Sequence, residues 1–241
     1  MGIDGKGFAA SINDQSVISM NPSPPTRQRR KDARPQELLD AALALFVEKG
    51  FAATRAEEVA QRAGVAKGTL YLYFSSKEEL LQAVIRHTLS ADVAVGRQRL
   101  LDHTGSATDA LTRLLPEWWE EVYDSPGSAL FKLVVTEVRN FPEIAEFYAR
   151  EVIEPGLEVI GLLLQRGIDA GEFRPVDIDA AAHSLVLPMI MLCLHKHSVG
   201  ACPLASRVVE DPRQLIRAHL QLVFQGLRAP TEPGATTPQT P

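Results

Sequence analysis

The feature that most constrains the fold is a pair of short helical patterns separated at Gly64. The first, "TRAEEVAQRAG", places Thr54 and Glu57 at the spacing of a capping box and ends at Gly64. The second covers about Lys67 to Phe74. Two short helices joined by a glycine-containing turn of three or four residues predict a helix-turn-helix.

Helical patterns continue on both sides of this pair. The spacing predicts a first helix near Pro35 to Lys49, stopped by Gly50, and a fourth helix that starts at Ser75 or Ser76. The apolar stripe of the first helix is formed by Leu38, Ala41, Ala42, Leu45 and Phe46. No alternating apolar run is bounded by hairpin turns, so we expect an all-α fold.

Composition and hydropathy favour a soluble cytoplasmic protein. Of 241 residues, 45% are hydrophobic and 23% charged, close to globular averages. The longest apolar run, Leu185 to Leu194, contains a proline and is shorter than the roughly 20 residues that span a bilayer. The N-terminus has no secretory signal pattern, so no membrane partner is expected. Met1 and Met20 both remain candidates for the natural start.

Charge is distributed unevenly along the chain, whose net charge is −5. Residues 27–86 carry 11 Lys/Arg against 8 Asp/Glu, whereas residues 87–241 carry 13 against 20. A basic N-terminal third favours an anionic partner, most commonly a phosphate backbone. Chance asymmetry on a solvated surface is the alternative.

Four segments follow from these patterns. Residues 1–32 form a disordered tail with a basic end, 33–80 the helix-turn-helix domain, 81–228 a larger helical domain, and 229–241 a disordered Pro/Thr-rich tail. The basic arm from Arg27 to Arg34 has two interpretations, a DNA-contacting arm or a solubilising tail.

The second short helix has two kinds of side chain. Leu70 and Phe74 are four residues apart and can pack on the first two helices. In a helix-turn-helix the second helix enters the major groove, where lysines neutralise phosphates and a small residue allows close approach. The alternative is that Tyr71, Tyr73 and Phe74 are all core and the lysines are merely solvated.

The stretch "TRAEEVAQRAGVAKGTLYLYFSSKEELL", preceded by "ELLDAALALFVEKGFAAT", resembles the DNA-binding domain of the tetracycline-repressor (TetR) family of bacterial transcription factors. The resemblance covers about residues 34–82. It implies an all-α homodimer that binds double-stranded DNA and a small inducer. Carried over by position, the DNA contacts fall on Thr54, Arg55, Lys67, Gly68, Thr69, Tyr71, Leu72, Tyr73 and Lys77. Ala66 and Leu72 depart from the commonest family pattern, so the operator sequence cannot be transferred.

The family resemblance places an effector pocket and a dimer surface in the C-terminal domain. Apolar and aromatic residues of the middle helices predict a mostly apolar effector, although core packing is the alternative for each of them. The pocket candidates are Trp118, Tyr123, Phe131, Val135, Val138, Phe147, His183 and Met189. The dimer candidates are Leu187, Met191, Leu194, Ile216, Leu220 and Val223.

A metal or thiol sensor is the rival interpretation, because Cys193, His197 and Cys202 lie close together in sequence. Their spacing matches no standard zinc pattern. No phosphate-binding glycine loop or nucleophile motif is evident, so we expect neither an enzyme nor a cofactor. The sequence therefore predicts a ligand-responsive dimeric regulator. The resemblance to the family implies that it is a repressor, and these patterns do not identify the effector or the target genes.

Overall fold

The computed structural model describes residues 27–137, 139–202 and 209–228, with side chains described from residue 34 onward. These ranges contain helices and no strand, so the expected all-α fold is confirmed. The helices are α1 Arg27–Lys49, α2 Ala56–Arg62, α3 Lys67–Tyr71, α4 Lys77–Ile85, α5 Ala91–Leu101, α6 Ala107–Asp109, α7 Leu115–Asp124, α8 Ser128–Glu137, α9 Pro142–Tyr148, α10 Glu154–Asp169, α11 Ile178–Lys196 and α12 Pro212–Leu227. The predicted tails at 1–26 and 229–241 lie outside the described residues.

Three of the junctions between helices are π-helical rather than open turns. Arg86–Ser90 joins α4 to α5, Ala110–Leu114 joins α6 to α7, and Ala149–Ile153 joins α9 to α10. The chain therefore forms long continuous helices with a local widening in each. Such π segments are rare and occur often at functional sites.

Helix ends follow local sequence rules, with two differences from expectation. The bonds Val65 N–H to Ala60 O and Gly64 N–H to Gln61 O close α2, and Gly64 has a φ of +67°, which glycine adopts without strain. The N-cap of α2 is Arg55 rather than Thr54, since Glu58 accepts from the Arg55 N–H at 3.1 Å. The expected capping box is therefore displaced by one residue.

The first helix starts earlier than the sequence predicted. It begins at Arg27, and Pro35, the expected first-turn residue, lies inside it. Its apolar stripe is buried as expected, together with Val59 and Ala60 of α2 and Leu70 of α3. Ser76 caps α4 as predicted, because its hydroxyl accepts from the Glu79 N–H at 3.0 Å.

The long apolar run near residue 190 lies in α11, which packs against α8, α10 and α12. By length and composition alone this helix could cross a membrane, but the central helices of soluble proteins share these properties. Leu185, Met189 and Cys193 are buried against neighbouring helices, whereas Leu187 and Met191 are exposed. The helix is therefore a core helix with one uncovered apolar face.

Candidate nucleic-acid interface and effector pocket

Helix α3 is the second helix of the helix-turn-helix, called the recognition helix below. One side of it is buried against the protein and the other side is exposed. Leu70 is fully buried and Phe74 nearly so, and the helix packs against α2. Lys67, Gly68 and Tyr71 are exposed on the opposite side. Among the remaining predicted DNA contacts, Arg55 and Leu72 are also exposed, while Thr69 and Tyr73 are half-buried.

Gly68 and Leu72 are not explained by packing within this chain. A Cβ placed on Gly68 would have no described atom within 4 Å, so the fold itself tolerates a side chain there. Leu72 at the end of α3 is 83% exposed, so no packing within this chain requires its large apolar side chain. Both residues fit a helix face that approaches another molecule closely.

Lys67 is already paired in this structure. Its ammonium forms an ion pair with Glu57 of α2 and lies 5.8 Å from the Tyr71 ring centroid. The hydrogen bond from Lys67 lowers the pKa of the Glu57 carboxyl, and the same bond raises the pKa of Lys67. A phosphate that binds Lys67 has to compete with this exposed carboxylate.

Thr54 needs a correction as a DNA contact. Its side chain is 1% exposed, and its hydroxyl lies within hydrogen-bonding distance of the Gly50 carbonyl at 2.7 Å and the Leu45 carbonyl at 3.2 Å. A buried hydroxyl whose single hydrogen is used within the chain cannot donate to a phosphate. Thr54 instead ties the turn after α1 to the end of that helix.

Lys77 also has a structural position rather than the expected phosphate contact. Its ammonium donates to the carbonyls of Phe51, Ala52 and Thr54 at 2.9, 3.2 and 3.1 Å. The ammonium also lies 4.5 Å from the centroid of the Phe51 ring. A lysine has three N–H donors, and all three have acceptors here. Lys77 therefore fastens the start of α4 to the turn between α1 and α2.

Aromatic contacts link this turn to the C-terminal helices. The Phe51 ring packs on Phe46 at a centroid distance of 5.4 Å and edge-on against Phe141 at 4.8 Å. Phe141 immediately precedes α9. Farther along, Arg86 lies over the Phe147 ring at 5.0 Å, which joins the end of α4 to α9. The turn between α1 and α2 is thus connected to the two long helices that begin at Lys77 and Pro142.

An apolar pocket lies between the middle sections of those two long helices. Helices α7, α8 and α11 complete its wall. Its cavity volume is about 40 Å³, room for only a few water molecules. Both π segments at Arg86–Ser90 and Ala149–Ile153 contribute to its wall. The lining residues are Leu89, Asp92, Val93, Trp118, Trp119, Val122, Phe131, Val152, Ile153, Gly156, Ile160, Val186 and Ile190.

Two of the predicted pocket residues, Trp118 and Phe131, lie in this wall. Val135 points away, since it is 54% exposed. Phe147 and Met189 are buried elsewhere in the core. The spacing of apolar residues in the sequence did not predict which face of each helix is turned toward the cavity.

The other predicted pocket residues lie apart from the cavity. Tyr123 lies under the Lys196 ammonium, 4.5 Å from its ring centroid. His183 Nδ1 is bonded to the Asp179 carbonyl of its own helix at 2.8 Å. Val138 lies outside the described residues.

The sequence-based prediction missed the polar part of the pocket. Asp92 is half-buried, and burial raises the pKa of its carboxyl despite a hydrogen bond from the Ser125 hydroxyl at 3.1 Å. The Asp92 carbonyl accepts from Nε1 of Trp118 at 3.0 Å. Trp118 in turn packs on Gly96, where a Cβ would lie 2.1 Å from its ring. The sequence does contain a signal for this polar part of the pocket, because Asp92 is an acidic residue between Leu89 and Val93 on an otherwise apolar helix face.

The structure gives no support to the metal or thiol interpretation. Cys193 is buried, and burial raises the pKa of its thiol to about 12, so the reactive thiolate is scarce at neutral pH. His197 Nε2 lies 2.8 Å from the Ser128 hydroxyl, which also donates to the Ser125 carbonyl. Within the described ranges, no group of three His, Cys, Asp or Glu side chains could hold a metal ion.

The predicted dimer residues divide between surface and core. Leu187 and Met191 of α11 are exposed, and Leu194 and Val223 are half-buried. Ile216 and Leu220 of α12 are each 1% exposed, so they pack inside this chain and offer no surface to a partner. The exposed apolar residues of α12 are instead Leu215 and Leu222.

Comparison with known proteins agrees with this architecture. Residues 38–84 match the family described as bacterial regulatory proteins of the tetR family, and residues 101–212 match the tetracyclin repressor-like C-terminal domain. The transcriptional regulator YfiR of Bacillus subtilis, itself uncharacterised, is 35% identical over 159 residues, which covers 64% of this chain and 75% of YfiR.

Two further relatives have named roles. The transcriptional repressor KstR2 of Rhodococcus jostii is 31% identical over 164 residues, covering 67% of this chain and 79% of KstR2. The structure of FadR from Bacillus subtilis in complex with stearoyl-CoA has a TM-score of 0.61 at 20% identity, covering 80% of this chain and 99% of FadR. The sequence matches settle the family: this chain belongs to the TetR family of bacterial transcriptional regulators.

Proposed function

We propose that this protein is a dimeric repressor that binds a palindromic operator and is released from it by a mostly apolar effector. The observation that carries the DNA-binding part is the open face of α3, where Lys67, Gly68, Tyr71 and Leu72 are exposed while Leu70 is buried. In helix-turn-helix proteins this helix enters the major groove with its N-terminal residues at the base edges. Such a protein acts in the cytoplasm, where the DNA is, and has no catalytic step.

Dimerisation is supported by the uncovered apolar residues of α11 and α12. Leu187 and Met191 are one turn apart on α11, and Leu215 and Leu222 are seven residues apart on α12, so each pair shares a helix face. A two-fold axis would join these faces into a four-helix bundle and place two copies of α3 on successive major grooves, about 34–36 Å apart.

The effector is proposed to occupy the pocket between the two long helices. Its wall is almost entirely apolar, which fits a lipid-like molecule such as the stearoyl-CoA bound by FadR. Because the cavity is only about 40 Å³ here, a ligand of that kind has to open it. Opening displaces helices that also hold the turn between α1 and α2 through Lys77 and through the contact of Phe51 with Phe141.

Selection of binding sites from the host's genomic DNA, followed by footprinting, tests the proposal. The purified protein is expected to protect a palindromic site at low salt, and Leu187→Asp combined with Met191→Asp is expected to give monomers with far weaker protection. Leu162→Asp is a matched control, since Leu162 is an exposed leucine on α10, outside the proposed dimer surface. Absence of any protected palindrome would refute the DNA-binding role, and a variant that remains dimeric would refute the dimer surface.

A further inference from the structure

The effector pocket contains an indole N–H that the protein does not use. Trp119 lines the pocket and is 6% exposed, and its Nε1 has no hydrogen-bond partner among the described residues. A buried donor left without an acceptor destabilises the protein, so such groups usually have a partner in the functional state. Its neighbour Trp118 provides a contrast, because the N–H of Trp118 is bonded to the Asp92 carbonyl at 3.0 Å.

The same pocket contains an acceptor that is only partly satisfied. The Asp92 carboxyl has the Ser125 hydroxyl at 3.1 Å, but that hydroxyl also lies 3.0 Å from the Val122 carbonyl. One hydroxyl hydrogen cannot serve both acceptors fully. Asp92 is half-buried and lines the same pocket as Trp119, so a donor supplied by a ligand would relieve this shortage.

These two groups define the chemistry of the effector, and this inference rests on the proposed pocket. We propose that the part of the effector inside the pocket is an apolar body bearing a hydroxyl group, which accepts from Trp119 Nε1 and donates to Asp92. A hydroxyl is the simplest group that is both acceptor and donor. A free carboxylate fits badly, because a second negative charge would face Asp92 in an apolar environment.

Titration with three eight-carbon probes tests this inference. 1-Octanol carries the hydroxyl, 1-chlorooctane is similar in length but lacks it, and octanoate carries the charge. The measured quantity is the ratio of the octanol and chlorooctane affinities, in which the burial of the shared chain cancels. A hydrogen bond between neutral groups contributes about 0.5–1.5 kcal/mol, so Trp119→Phe is expected to lower this ratio about 2- to 12-fold. Octanoate is expected to bind more weakly than octanol.

Tyr123→Phe is the matched control, since Tyr123 lies on the same helix as Trp119 but apart from the cavity, so the loss of its hydroxyl should leave the ratio unchanged. Asp92→Asn replaces one acceptor oxygen with a donor and should lower the ratio while Trp119 is intact. An unchanged ratio in both Trp119→Phe and Asp92→Asn, or octanoate binding as tight as octanol binding, overturns the inference but leaves the pocket. If no probe binds, the pocket assignment fails as well, while footprinting still decides the DNA-binding role.

Discussion

Replacing Lys77 with methionine separates a structural lysine from a phosphate-binding one. Methionine keeps most of the aliphatic stem but removes the ammonium that donates to the carbonyls of Phe51, Ala52 and Thr54. Hydrogen bonds to charged groups contribute about 1.5–3 kcal/mol each when buried, and a cation over an aromatic ring about 0.5–2 kcal/mol, depending on how far the cation is exposed. Lys77 is half-buried and its bond to the Ala52 carbonyl is exposed, so the expected loss in free energy of unfolding is about 2–3 kcal/mol in total.

Two assays distinguish the roles. Urea unfolding measures the stability loss, and the salt dependence of binding to a duplex measures phosphate contacts, because each neutralised phosphate adds about 0.9 to the slope of log affinity against log salt. For Lys77→Met we expect a clear stability loss and an unchanged slope, measured where the variant is still folded. Lys67→Met is the control, because its exposed ammonium is expected to change the slope by about 0.9 with little effect on stability.

The reasoning is refuted if Lys77→Met lowers the slope as Lys67→Met does and unfolds at the wild-type urea concentration. That result would mean that the ammonium leaves the three carbonyls for a phosphate in the complex and contributes nothing to the free protein. It would also restore the assignment that sequence position alone suggested for Lys77.

Three further outcomes are expected. Leu72→Ala should leave stability within about 0.5 kcal/mol, because the side chain is exposed, but should weaken base preference at one operator position in a binding-site selection. Gly96→Ala should destabilise by about 1–3 kcal/mol, because its Cβ collides with Trp118, and should alter probe binding measured by calorimetry. Burial disfavours the charged form of Glu172, but hydrogen bonds from the N–H groups of Thr108 and Ala107 outweigh it and lower its pKa. A lowered carboxyl pKa stabilises the fold at pH values above the unfolded pKa of about 4.3. Glu172→Gln should therefore lower the free energy of unfolding by about 1 kcal/mol at pH 7, and by progressively less as the pH falls through the folded pKa. Urea unfolding at several pH values measures this loss.

The helix-turn-helix was predictable because its signals are local. The φ of +67° at Gly64 and the buried pair Leu70 and Phe74 follow from residues within one or two turns of each other. The role of Lys77 was not predictable in this way, since its acceptors lie 23 to 26 positions earlier in the chain. Spacing identifies a helix face, but not which neighbour that face meets.

The prediction of pocket residues from the sequence was limited in the same way. Trp118 and Val135 were both candidates because they are apolar or aromatic residues of the middle helices, but Trp118 lies in the pocket wall and Val135 is exposed. The rotation of each helix about its axis, which decides between the two, depends on contacts among α5, α7, α8 and α10. An acid on an apolar face, as at Asp92, is a more specific indicator of a ligand site than another aromatic residue, because burial penalises its charge and needs a compensating partner.

The small cavity has a consequence for how a ligand can control DNA binding. A ligand changes the equilibrium between two conformations only through its different affinity for them, and coupling of this kind is typically about 1–3 kcal/mol. In the conformation described here the cavity is only about 40 Å³, so we expect a lipid-like ligand to favour an open state. The same helices carry Lys77 at one N-terminus and follow Phe141 at the other, and both residues contact Phe51. We therefore expect opening of the pocket to act on the turn between α1 and α2, and so on α2, the helix against which α3 packs.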